Sequence, residues 1–117
     1  MPKITIEAEQ SVINSLVGSH FNKLTPAQAE RLAVLSEELA EASHRVAKIL
    51  RHGYESVNPF HPHSGNNQTL LQDELGHVQN SIAMLIKAGD LSESAIQAQQ
   101  HHKASSIGSY LHHQEKQ

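Results

Sequence analysis

The chain has 117 residues, and its 38% apolar and 18% charged residues lie in the ordinary globular range, so one compact domain over residues 1–117 is expected. A formal charge of −3, with no interleaving of basic and aromatic residues, argues against a nucleic-acid backbone as partner. With no cysteine there are no disulfides or thiolate metal sites, and with no apolar run of bilayer length there is no expected membrane span. Residues 1–10 carry Lys3, Glu7 and Glu9 and no apolar core of a leader, so the expectation is a soluble, unprocessed, cytoplasmic protein.

Only two Phe, two Tyr and no Trp are present, which leaves a core of Leu, Ile, Val and Ala, as helix bundles allow. In residues 1–24, an N-terminal extension, Ile4, Ile6, Val12, Ile13, Leu16 and Val17 suggest a short strand-like start and then a short helix ending near Gly18. Thr25-Pro26-Ala27-Gln28 is a sharper signal. Thr25 suits the N-cap, Pro26 the first helical position and Gln28 the third residue of a capping box, so a helix starts at Pro26. Leu32, Leu35, Leu39, Ala42, Val46 and Ile49 then recur at alternating steps of three and four, up to a stop at His52-Gly53.

Residues 54–67 contain Pro59, Pro62, Gly65 and several Asn and His without periodicity, the composition of a loop. Its length suits a substrate-facing or lid role. Asn67 or Thr69 can cap a second long helix, whose stripe is Leu71, Leu75, Val78, Ile82, Leu85 and Ile86 and whose stop is Gly89. Ser92 caps a third segment running through Lys103 toward Ile107, and residues 112–117 form a solvated tail. The expected fold is therefore all-α, two long antiparallel helices with a C-terminal helix. A chain of this size has few apolar residues to spare, so a homodimer or homotetramer is expected to complete the core.

Two acidic sets interrupt the polar faces of the long helices, Glu38-x-x-Glu41 and Asp73-Glu74-x-x-His77. Groups three apart share a helix face, so two such sets on packed helices can offer several oxygens to one cation. Mg2+ is the default ion for hard oxygen ligands and is commonly shared with phosphates, which makes a phosphate ester or anhydride the natural substrate class. Arg45, Lys48 and Arg51 or His52 continue from the acids along one side of the first helix, and a triphosphate bound at the metal could meet those cations. The same spacings also suit a solvated acidic face and an intrahelical acid-to-base ladder. The ten His residues, including the pairs His101-His102 and His112-His113, are read as a polar surface without catalytic role.

The run Glu37-Glu38-Leu39-Ala40-Glu41-Ala42, then Lys48-Ile49-Leu50-Arg51-His52-Gly53, Asn66-Asn67 and Asp73-Glu74-Leu75-Gly76-His77-Val78 resembles the MazG-like branch of the all-α nucleoside triphosphate pyrophosphohydrolases. The resemblance extends over roughly residues 25–111, with the segment from Ile96 to Leu111 the least specific part. It implies hydrolysis of a nucleoside triphosphate to a monophosphate and pyrophosphate with Mg2+, or with Mn2+. By position it implies Glu38, Glu41 and Glu74 as metal ligands, Glu38 or Glu41 as the base that activates water, and Lys48, Arg51, Asn80 and Lys103 as substrate contacts.

One departure is specific: His77 stands where the family's second motif has Asp. Imidazole is a poor ligand for Mg2+ and a good one for Zn2+, Mn2+ or Ni2+, so His77 either joins the metal ligands with a changed preference, leaves ligation to Asp73, or marks weakened activity. dUTP and phosphoribosyl-ATP are the alternative substrates that the resemblance leaves open, and a non-catalytic helical assembly or regulatory module is the alternative of a different class. Phe21, Tyr54 and Phe60 are candidates for a base pocket.

Overall fold

The structure, a computed structural model, describes residues 22–115, which places the expected strand-and-helix start over residues 3–18, and Phe21, outside the described part. Three α-helices make up the described chain: α1 Pro26–His52, α2 Asn67–Lys87 and α3 Glu93–Ser106, with short 3-10 turns at Pro62–Ser64 and Ile107–Tyr110. Among the described residues there is no strand beyond a single antiparallel bridge between Val57 and Asn66. No helix there is long and apolar enough to cross a membrane.

Local chemistry sets the helix ends. At α1 the Thr25 hydroxyl accepts from the Gln28 amide at 3.1 Å while the Gln28 side chain accepts from the Thr25 amide at 2.9 Å, the reciprocal capping expected from the sequence. The helix ends at Gly53, whose φ of 90° is open to glycine and costly to other residues. The cap of α2 is Asn66, whose side chain accepts from the Thr69 amide at 2.9 Å, rather than Asn67 or Thr69. The buried side-chain amide of Asn67 instead donates to the Gly53 carbonyl at 3.1 Å and so ties the end of α1 to the start of α2.

The connecting loop is pinned rather than loose. Backbone amides of Asn67 and Gln68 donate to the carbonyls of Ser56 and Tyr54, each at 2.9 Å, where the first turn of a helix has donors to spare. Ser92 caps α3 through the Ala95 amide, yet α3 contributes no buried residue. The core is the seam between α1 and α2, which run antiparallel, with Ala42, Val78 and Leu85 buried and Ser81 almost wholly enclosed. Ala42 and Ser81 are small, so the two helix axes can come close.

The apolar stripe of α1 divides into two columns at seven-residue spacing. Leu35, Ala42 and Ile49 are covered or half-covered by α2, whereas Leu32, Leu39 and Val46 are 40%, 50% and 44% exposed. On α2, Leu75 is likewise 45% exposed. At about 100° per residue, Leu39 and Val46 fall on one side of Ala42, while Glu38, Glu41 and Arg45 fall on the other. The same rotation about Val78 separates Leu75 and Ile82 from Leu70, Glu74 and His77. Antiparallel packing brings like flanks together, so the hairpin has one charged edge and one apolar edge.

Candidate metal centre

Halfway along the charged edge, Glu38 of α1 meets Glu74 and His77 of α2. His77 Nδ1 lies 3.6 Å from Glu38 Oε2 and 3.5 Å from Glu74 Oε2, and one ligand atom from each residue can be chosen so that all lie within 4.8 Å of one another. The placement follows from helical geometry: Glu74 is one turn before the buried Val78, so the seam that buries Val78 also draws in the Glu74 carboxylate. Glu74 is only 6% exposed, Glu38 is half-buried, and His77 opens to solvent.

Burial of two carboxylates side by side is costly unless something positive or protic lies between them. Glu38 Oε2 and Glu74 Oε1 are buried oxygens with no hydrogen-bond donor. The Glu74 carboxyl is accordingly raised to about 7, first by hydrogen bonding to Glu38 and by burial, and then by Glu41. Carboxylates are acceptors only, so the pair is satisfied by a proton held between them or by a cation. Two carboxylates and an imidazole fit a divalent ion, with solvent access on the His77 side.

A cleft of about 500 Å3 lies beyond the pair along the same edge. Arg45, Lys48 and His52 line it from α1, Phe60 and His61 from the loop, and Leu70 from α2. Leu70 is one turn before Glu74, and Arg45 one turn after Glu41, so the carboxylates lie one helical turn from this basic cleft without lining it.

The remaining sequence-predicted residues separate into those at this edge and those away from it. Glu41 is exposed and is not one of the three clustered ligands, although it is close enough to raise Glu74. Asp73 is exposed and takes no part in the cluster, which favours His77 over Asp73 as the third group. Lys48 lines the cleft, and Arg51 does not, because the helix turns it outward. Asn80 is exposed and directs its amide to Met84 Sδ at 3.7 Å, and Lys103 sits exposed on α3 away from the cleft. Of the aromatic candidates, Phe60 lines the cleft and Tyr54 does not.

Of the alternatives Arg51 and His52 at the end of the acid-to-base line along α1, it is His52 that lines the cleft, and His61 joins it from the loop with no local pattern in the sequence to mark it for this edge. The Arg31–Asp90 ion pair that closes the other end of the hairpin was equally hidden. No protein-family model, no curated protein and no solved structure matches this chain.

Proposed function

We propose that the protein is a nucleoside triphosphate pyrophosphohydrolase of the all-α type, dependent on a divalent cation such as Mg2+ or Mn2+, that forms a nucleoside monophosphate and pyrophosphate. The observation that carries this reading is the buried Glu74, lacking a donor at Oε1, beside Glu38 and His77 and one helical turn from Leu70, which lines a cleft together with Arg45 and Lys48. Acids alone would suit many cations. Acids one helical turn from a basic cleft suit a cation that arrives with polyphosphate.

In this reading Glu38, Glu74 and His77 hold the ion, and Lys48 and Arg45 hold phosphate oxygens farther along α1. The ion, when bound, supplies neutralisation of phosphate charge and makes an attacking water more acidic. Glu41, exposed one turn from Glu38, is placed to take the proton from that water. The water oxygen bonds to phosphorus, the bond to the bridging oxygen between the α and β phosphates breaks, and pyrophosphate leaves. Lys48 and Arg45 offset the charge that gathers on the leaving group. Phe60, at the loop side of the cleft, is the candidate for contact with the base.

The apolar edge supports the second part of the reading, that the working form is a homodimer or homotetramer. A hairpin with so few enclosed apolar side chains among the described residues is short of core, and a second copy that covers Leu32, Leu39, Val46 and Leu75 would give a four-helix bundle.

The test is turnover of ordinary and deoxy triphosphates, dUTP and phosphoribosyl-ATP, each with Mg2+ or Mn2+, measuring monophosphate and pyrophosphate. Release of both, lost by at least a hundredfold in Glu38→Gln and Glu74→Gln with helicity retained, is the expected result. Unchanged rates in both variants, or no pyrophosphate from any substrate, would overturn the reading.

A further inference from the structure

We infer that this centre selects a transition ion that accepts nitrogen, Zn2+ first and Mn2+ next, over Mg2+, and that His77 Nδ1 makes the choice. The inference rests on the reading of Glu38, Glu74 and His77 as a metal centre, and not on the identity of the reaction.

Ligand chemistry is the first ground. Mg2+ takes hard oxygen ligands and holds its waters, so an imidazole displaces a better ligand from it. Zn2+ and the later first-row ions bind imidazole and carboxylate together. His77 is not a passive neighbour, because its Nδ1 faces both carboxylates at nearly equal distance, 3.6 Å to Glu38 and 3.5 Å to Glu74.

Geometry is the second. One ligand atom from each of Glu38, Glu74 and His77 lies within 4.8 Å of the others, close enough to share one cation. Two carboxylates and one imidazole also leave a fourth position, the arrangement of zinc sites that keep one place for water or substrate.

The third ground is that the site is built into the seam. Glu74 is more than nine-tenths buried, and its Oε1 and Glu38 Oε2 lack donors, which separates this place from the surface histidines. His101, His102, His112 and His113 are exposed on α3 and the segment after it, and none of them belongs to a cluster of three metal-ligating side chains among the described residues.

The experiment titrates chelator-treated protein with Zn2+, Mn2+ and Mg2+ by competition against a chromophoric chelator. Wild type is compared with His77→Asp, His77→Ala and Glu74→Gln, and the Co2+ absorption spectrum of each is recorded. Expected are one site per chain that Glu74→Gln removes, a preference for Zn2+ over Mg2+ of a hundredfold or more, and an intense tetrahedral-type Co2+ spectrum. His77→Asp is expected to cut that preference at least tenfold and to weaken the Co2+ bands.

A preference unchanged by His77→Asp, or Mg2+ bound as tightly as Zn2+, overturns the inference while leaving the hydrolase reading intact if pyrophosphate release persists. Zn2+ bound through His77 without pyrophosphate release from any triphosphate supports the inference and overturns the hydrolase reading. Metal uptake that Glu74→Gln does not diminish overturns both.

Discussion

Arg31 and Asp90 are 59 residues apart in sequence and joined by a two-pronged ion pair, Nε to Oδ2 at 2.6 Å and Nη2 to Oδ1 at 3.1 Å. It fastens the first turns of α1 to the corner after α2, at the end of the hairpin opposite the Asn67–Gly53 tie. The bidentate form fixes direction as well as distance, which a Lys at position 31 could not copy. Between these two ties lies the seam that holds Glu38 against Glu74.

The pair makes stability depend on acid. Arg31, first by hydrogen bonding and then by its charge, holds the Asp90 carboxyl below its ordinary value of 3.8. A depressed carboxyl contributes stability that is present above the unfolded value and is lost as pH falls through the folded one. Asp90→Asn is therefore expected to lower the urea midpoint near neutrality, with the difference from wild type closing once the pH is well below 3.8. A difference that persists undiminished in acid would contradict the pairing.

Glu74 gives the opposite sign. Its carboxyl is raised to about 7 from 4.5, so the folded chain keeps a proton that the unfolded chain gives up, and stability falls as pH rises across that interval. Gln copies the protonated form. Chelator-treated Glu74→Gln is expected to melt at a higher temperature than wild type above pH of about 7, and at the same temperature below 4.5. Scanning calorimetry in chelator reads this directly, and a lower melting temperature for the variant above neutrality would count against the buried, unpartnered carboxylate.

The seam itself is tested at Leu85, which is fully enclosed. Leu85→Ala removes buried methyl groups and leaves a cavity, an expected loss of about 3 kcal/mol in urea unfolding. Leu50→Ala, at a position 82% exposed, is expected to change the midpoint little. Equal effects at the two positions would contradict the assigned packing.

Much of this architecture could be read from the chain because caps and stripes are local. Thr25, Gln28, Ser92 and Gly53 announce helix ends through side chains or backbone freedom within four residues, and they act as expected. Glu38, Glu74 and His77 were legible as a group because steps of three and four fix a helix face. What was not legible depends on how far each helix is rolled about its axis. That roll covers Leu35, Ala42 and Ile49 and leaves Leu32, Leu39 and Val46 open, and it sets Glu41 at the rim and Arg51 outside the cleft. Arg31 and Asp90 carry no local pattern at all, since only the finished hairpin brings them together.

The roll of α1 also separates two cations that their spacing along the sequence had placed together. Lys48→Ala is expected to lower kcat/KM by ten- to a hundredfold, the usual effect of losing a charge-assisted contact to phosphate, whereas Arg51→Ala is expected to change it less than threefold. Steady-state kinetics on the best triphosphate decides, and a larger effect at Arg51 would move the phosphate track off the cleft. For the proposed dimer or tetramer, Leu39→Lys with Leu75→Lys is expected to give a monomer in light scattering; a wild-type monomer at high concentration would remove the second copy.

The most direct measurement of the central claim is Mn2+ binding followed by loss of the free-ion electron paramagnetic resonance signal. One ion per chain is expected in wild type, with none held by Glu74→Gln and none by Glu38→Gln, both folded by circular dichroism. Binding that survives both substitutions, or no binding by the wild-type chain, would contradict the claim that these two carboxylates share a metal ion.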